Sequence, residues 1–275
     1  TSSSSSWASI ADMPDARTKM GTAALNGKIY AVGGAVDYAY RKSGMVYDPL
    51  ANAWSGIADM SGDRISPGAV ALNGKIYVLG GLHGTSGPLN SCVVYDPLDN
   101  AWSGIEHMGP ARWAPGAVAL NGKIYVLGGF DGSYLKSCVV YDPDNDRWGD
   151  IKPMLYARAH PGVVALNDKI YVLGGYDPAS PYPNFKSCVV YDPGAGPSGV
   201  WSAIADMPGA RYNLGAVALN GKIYALGGQG GDGNPLLKSV VVYDPLTNAW
   251  TEIDDMLDAR ANMGAVAVRD DNGVG

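Results

Sequence analysis

Glutamate is almost missing from this chain: Glu106 and Glu252 are the only two in 275 residues, beside three histidines, three cysteines and two phenylalanines. So small a stock leaves little from which to build a metal-ligand set or an acid/base pair, and the aspartates fall mostly in repeated turns. No apolar run is long enough to cross a bilayer and no apolar core follows a basic start, so neither a transmembrane helix nor a signal peptide is expected. Basic residues do not bunch either. With 20 of them against 26 acidic ones and a net charge of -6, nucleic acid is excluded as a natural partner. What the chain does have is 38 glycines and 18 prolines within a 47% apolar composition, which describes a folded chain with many turns. The opening TSSSSS, residues 1–6, reads as a Ser-rich linker or cloning remnant outside a single domain spanning 7–275.

The chain also has repetition. The eleven residues ALNGKIYVLGG stand at 71–81 and again at 119–129, with near copies at 24–34, 165–175 and 218–228. Trp7, Trp54, Trp102, Trp148, Trp201 and Trp250 set the period, with spacings of 47, 48, 46, 53 and 49 residues. One such unit is a single supersecondary motif, so the architecture is a repeat array with starts near 13, 60, 108, 154, 207 and 256.

Each unit reads as four short strands. In 68–108 these are GAVAL, then KIYVLGG across an Asn73-Gly74 hairpin turn, then SCVVYDP after a variable loop, then WSGIEHM. The second and third strands are apolar on both faces, so each small sheet must be covered on both sides, which a ring of sheets around an axis achieves. The small first strand suits the centre of such a β-propeller. The third-strand tyrosines Tyr47, Tyr95, Tyr141, Tyr191 and Tyr243 and the periodic tryptophans fill its wider rim.

The Gly-Gly pair after the second strand, Tyr-Asp-Pro in the third, Trp about six residues later and the Arg of MPDAR, MGPAR, MLYAR, MPGAR and MLDAR together resemble the kelch repeat over about residues 7–268. The resemblance implies an all-β, kelch-type β-propeller used as a protein-binding scaffold. In one departure, Val93-Val94, Val139-Val140 and Val189-Val190 stand where many kelch modules carry a charged pair before the tyrosine. Some kelch propellers are enzymes, copper-radical oxidases and sialic-acid mutarotases among them. The oxidase type needs clustered His, Tyr and a modified Cys, a set that His83, His107 and His160 do not supply, and no cofactor or metal is expected.

The strand count leaves the ends uneven. First strands occur six times, the last being GAVAV at 264–268, second and third strands five times, and fourth strands six times beginning with Trp7. This predicts a six-bladed ring with five complete blades and an incomplete sixth, the alternative being a five-bladed ring. An incomplete blade also offers a seam for self-association, and a structural role built on that seam is a third functional reading.

Positions identical in every unit hold up the fold, whereas loops that differ are free to specialise. The loops after strands two and four emerge at one end of the ring, the loop face. The aromatic residues outside the repeat gather there. Candidate contacts are Tyr38, Tyr40, Arg41, Lys42, His83, Trp113, Tyr134, His160, Tyr182, Tyr212 and Asn213, with Arg41 and Lys42 taken as non-periodic. Arg17, Arg64, Arg112, Arg158, Arg211 and Arg260 recur in all six copies and are expected to tie blades together through backbone carbonyls. Cys92, Cys138 and Cys188 share one third-strand position in separate blades, too far apart for a disulfide. As free thiols they favour a reducing, cytoplasmic setting, an extracellular one following only for a processed segment. The expected function is non-enzymatic recognition of a protein or other macromolecule through the loop face. A carbohydrate or small-molecule site at the channel mouth is the alternative, which convergent Arg, Asp and Tyr at the axis would favour.

Overall fold

A computed structural model describes residues 7–181, 183–230, 233 and 235–268. It contains five four-stranded antiparallel sheets and, among the described residues, no helix. Blade one is built from Gly21–Leu25, Lys28–Val32, Gly44–Asp48 and Ala53–Ile57, and blade two from Gly68–Leu72, Lys75–Leu79, Cys92–Asp96 and Ala101–Ile105. Blade three comprises Gly116–Leu120, Lys123–Leu127, Cys138–Asp142 and Arg147–Ile151. Blades four and five repeat the order from Gly162–Leu166 to Val200–Ile204 and from Gly215–Leu219 to Ala249–Ile253.

Local chemistry explains each hairpin. In Asn26-Gly27, Asn73-Gly74, Asn121-Gly122 and Asn220-Gly221 both turn residues have positive φ, the geometry that two-residue hairpins require. Blade four uses Asn167-Asp168 instead, with Asp168 held at φ 57°. In every blade the third-strand tyrosine stands opposite the fourth-strand tryptophan, as Tyr95 does Trp102, with ring centroids about 5 Å apart. The indole N–H of each periodic tryptophan then crosses to the neighbouring blade, Trp102 donating to the Ala58 carbonyl at 2.7 Å and Trp148 to that of Glu106 at 2.8 Å. The tryptophans are therefore rivets along the rim, half-buried in the five blades and exposed at Trp7, more than filler.

The ring closes on six positions, not five. At the axis, Ser66 donates its backbone N–H to Lys19, Ala114 to Ser66, His160 to Ala114, Asn213 to His160, Asn262 to Asn213 and Lys19 to Asn262, at 2.7–3.1 Å. All six residues take φ between +46° and +56°, so a strained left-handed backbone is held by an unbroken hydrogen-bonded circle. The outer rim closes likewise: Trp54 donates to Ala11, and Trp7 donates to Asp254 of blade five. Close approach at the centre demands glycine. A Cβ on Gly21 would lie 2.7 Å from that of Ala69, and the same neighbour relation carries Gly215 onto Ala265 and Gly264 onto Thr22.

Residues 264–268 and 7–11 thus hold the inner and outer places of the sixth blade, as their sequences suggest. Neither forms a strand. The physical reason is that a strand exists by its ladder, and among the described residues no second or third strand pairs with these two segments. Residues 269–275 lie outside the described residues.

An aromatic circuit on the loop face

The loop face rests on a periodic scaffold. The backbone carbonyls of Arg64, Arg112, Arg158, Arg211 and Arg260 each accept the N–H of the second glycine in the preceding blade, as Arg112 does from Gly81 at 2.8 Å. Its guanidinium reaches the following blade: Arg112 donates to the carbonyls of Gly128 and Ser137 at 2.7 and 2.9 Å and to Ser137 Oγ at 3.0 Å. Arg64, Arg158 and Arg211 repeat these three bonds and are buried. Burial lowers the pKa of each, yet the carbonyls replace water as the partners of the charge. The expected tie between blades is what these arginines make, and it holds their charge buried against backbone carbonyls.

In each of the five blades the residue after the arginine pairs with the residue after the Gly-Gly pair. Trp113 and Phe130 exchange two backbone hydrogen bonds of 2.8 Å, and Tyr212 and Gln229 two of 2.9 and 2.8 Å. Side chains that the repeat does not specify therefore project at fixed intervals around the face. Over blades three to five they meet. Trp113 contacts Phe130 edge-on at 6.0 Å, Phe130 contacts Tyr134 at 5.0 Å, and Tyr134 contacts Tyr176 at 5.7 Å. Tyr176 contacts Tyr212 at 5.1 Å, Tyr212 contacts His160 at 6.2 Å, and His160 returns to Trp113 at 5.4 Å. Six rings form a closed circuit, all half-buried, mostly edge to face as ring quadrupoles favour.

Polar groups edge the circuit. Burial, reinforced by the Lys19 charge and opposed by a hydrogen bond with Asn213, pushes His160 down to about 4, so its imidazole is neutral near pH 7. Burial also raises the Tyr134 hydroxyl above its ordinary range, with Tyr176 and Asp177 adding to it. The Trp113 indole nitrogen is enclosed and has no acceptor among the described residues. At the axis beside His160 lies a cavity of about 110 Å³, lined among others by Lys19, Ser66, Asn213 and Asn262 and, among the described residues, by no arginine, aspartate or tyrosine.

Of the residues singled out from sequence, Trp113, Tyr134, His160, Tyr212 and Asn213 converge here. Phe130 and Tyr176, essential links of the circuit, carry the signal of standing directly after Gly-Gly, and were not among the candidate contacts. Tyr38, Tyr40, Arg41, Lys42 and His83 lie in the loops of blades one and two. Tyr38 is 99% exposed at the tip of the ribbon formed by Ala35–Val36 and Ala39–Tyr40. His83 sits 3.8 Å from Asp63, and its Nδ1 faces the backbone N–H of Thr85 at 3.3 Å. The reading of Lys42 as non-periodic is corrected. It precedes Ser43 as Lys186 and Lys238 precede Ser187 and Ser239, and it pairs with Asp59 as those pair with Asp206 and Asp255. Arg41 likewise occupies the place of Leu89, Leu135, Phe185 and Leu237, its N–H bonded to Gly34 as theirs are to the equivalent glycines. Tyr182 lies outside the described residues.

The cysteines are buried and free, their thiols pushed up by burial to about 11 for Cys92 and Cys138 and about 12 for Cys188. Among the described residues no three His, Cys, Asp or Glu side chains gather as a metal-holding group, and no helix is long and apolar enough to cross a membrane.

These features define a kelch-type propeller with an aromatic loop face, and comparison with known proteins agrees on the family. The Kelch motif matches residues 16–61, 157–208 and 210–257, and the KLHDC2/KLHL20/DRC7 Kelch-repeats domain matches residues 59–175. The chain belongs to the kelch-repeat family. An F-box/kelch-repeat protein of Arabidopsis thaliana is 47% identical over 47 residues, which is 17% of this chain and 12% of that protein, the length of one repeat. The solved structure of YjhT superimposes with a TM-score of 0.81 at 19% identity, covering 94% of this chain and 89% of the other, a likeness of fold.

Proposed function

We propose that this protein is a non-enzymatic interaction module that captures a segment of another protein on the aromatic circuit over blades three to five. One observation carries the reading: Trp113, Phe130, Tyr134, Tyr176, Tyr212 and His160 make one continuous surface on positions that the repeat leaves free. Rigid aromatics with a polar tip provide contact area at low entropic cost and dominate protein-binding hot spots. The axial cavity, lacking arginine, aspartate and tyrosine, offers little for polarising a sugar or a carbonyl, which weighs against the small-molecule alternative.

The test is affinity capture with the intact protein and mass spectrometry, run in parallel with Trp113→Ala, Tyr134→Ala and Tyr212→Ala. A partner retained by the wild type and weakened at least tenfold by two of the three, with each variant folded and its melting temperature lowered by no more than a few degrees, supports the reading. A partner bound equally by all four proteins moves the site elsewhere.

A further inference from the structure

The aromatic circuit is charged unevenly along its edge. Tyr134 lies between two ring neighbours, Phe130 at 5.0 Å and Tyr176 at 5.7 Å, and each of these is followed in the chain by an aspartate, Asp131 and Asp177. The corresponding positions of blades one, two and five hold Val36, His83 and Gly230. Both carboxylates fix their own turns through one oxygen. Asp131 Oδ1 accepts from the Ser133 N–H at 3.1 Å and its hydroxyl at 3.2 Å, and Asp177 Oδ1 accepts from the Ala179 N–H at 2.9 Å. Neither has a cation within ion-pair reach among the described residues, whereas Asp48, Asp96, Asp142, Asp192 and Asp244 each hold a lysine. Asp131 does act on Arg112, but that guanidinium is fully buried and donates to Gly128 and Ser137. Asp177 is near enough to help raise the Tyr134 hydroxyl. On the inner side, Lys19 lines the axial cavity and adds to the depression of His160.

We infer that the outer half of the circuit, Phe130, Tyr134 and Tyr176 with Asp131 and Asp177, binds an arginine side chain of the partner polypeptide. The inference rests on the reading of the circuit as a capture surface and names what that surface selects. A guanidinium is planar and weakly hydrated, stacks on aromatic faces whose quadrupole attracts a cation, and carries a fork of N–H donors that matches carboxylate oxygens. Oδ2 of each aspartate is left for such a donor, since the turn bonds use Oδ1. Lysine would bring a more strongly hydrated point charge and lose the fork, so arginine is favoured. The neutral imidazole of His160 adds no repulsion near pH 7, while the Lys19 charge disfavours a cation on the inner side and directs the arginine outward.

The probe is a phage-displayed library of random dodecapeptides selected on the full chain, the selected sequences then being titrated as free peptides by calorimetry. Arginine should be enriched among the peptides that the Tyr134→Ala protein fails to retain. Replacing that arginine in the peptide by lysine should weaken binding several-fold, and by glutamine about tenfold. In the protein, Asp131→Asn together with Asp177→Asn keeps the acceptor of each turn and should weaken the arginine peptide by about tenfold, with little further effect on the glutamine peptide. Asp99→Asn together with Asp144→Asn removes the same charge from turns between third and fourth strands, at the other end of the ring, and should weaken the arginine peptide by less than about twofold. Peptides that need Tyr134 but carry no arginine, or an arginine peptide indifferent to the changes at Asp131 and Asp177, overturn this inference and leave the capture surface standing. Selection of no peptide that needs Tyr134 overturns both.

Discussion

Two sectors of the loop face share one backbone and carry different side chains. Over blades one and two the positions following the arginine and the Gly-Gly pair hold Thr18, Ala35, Ile65 and Leu82; over blades three to five they hold Trp113, Phe130, Tyr176 and Tyr212, joined by Ala159 and Gln229. Hydrogen bonds beneath them are the same in kind and length, Ile65 to Leu82 at 2.9–3.0 Å and Trp113 to Phe130 at 2.8 Å. The difference teaches that in this ring the support is repeated and the surface is not, so stability and recognition should respond to different substitutions.

The largest effect tests the shared support. Replacing Arg64 or Arg112 by Ala removes three hydrogen bonds of a buried cation and takes that donor from the Gly80 or Gly128 carbonyl, the Ser91 and Ser137 carbonyls keeping the backbone N–H of Gly80 and Gly128, which should cost about 3 kcal/mol in either sector. Urea denaturation that found one costly and the other silent would break the equivalence of the two sectors. Arg260→Ala, with its exposed guanidinium, should change stability by less than about 0.5 kcal/mol.

Next comes the contrast between the two kinds of tryptophan. Trp102 stacks on Tyr95 and donates across to Ala58, so Trp102→Ala should cost about 3 kcal/mol. Trp113→Ala removes a half-buried ring whose N–H is unpartnered, and should cost about 1 kcal/mol while abolishing partner capture. Equal losses of stability would mean that the aromatic circuit is part of the core and not a surface free to specialise.

A pH experiment separates the sectors again. His160, with its folded pKa depressed to about 4 against an ordinary value near 6.5, contributes stability that is fully present above pH 6.5 and is lost as pH falls towards 4. The wild type should therefore lose melting temperature over that window, and His160→Asn should flatten the loss. The carboxylates of Asp48, Asp142 and Asp192, held below their ordinary range chiefly by Lys28, Lys123 and Lys169, act lower, their contribution present above about pH 3.8 and lost beneath it. Those pairs are partly exposed and recur in blades one, three and four, so salt should weaken the acid limb below pH 4 in both sectors alike.

Most of the fold was legible because it is written repeatedly: Asn-Gly turns, doubly apolar strands and a tryptophan period leave one architecture able to bury them. The arginines were legible for the same reason, since a cation present in every copy must answer to the fold. The circuit was only partly legible. Trp113, Tyr134 and Tyr212 stand out as aromatics outside the period, but their contact with Phe130 and Tyr176 depends on a backbone pairing across two loops that no local spacing reveals. Lys42 was misread because the long, irregular stretch from Ala35 to Tyr40 hides its register. The uneven strand count at the ends followed from counting, whereas the loss of strand character in 264–268 and 7–11 follows from cooperativity of the ladder, which counting does not capture.

The smallest effect lies at the opposite end of the ring, where the blades should be interchangeable and one is not. Asp168 fills the second turn position of blade four at φ 57°, where the other four hairpins place glycine. A non-glycine residue in the left-handed region suffers a clash between Cβ and the carbonyl, eased for aspartate by its short polar side chain. Asp168→Gly should therefore stabilise the chain, the relief of strain exceeding the added freedom of the unfolded state by about 0.5 kcal/mol. The companion change Gly122→Asp in blade three should destabilise by a similar amount, because Gly122 takes φ 74° with open space around it and only the backbone conformation resists a side chain. Both variants should bind the partner as the wild type does, since the turn lies away from the loop face. A binding defect in either would mean that the two ends of the ring are coupled through the strands, and that support and surface are less separable than the comparison of sectors implies.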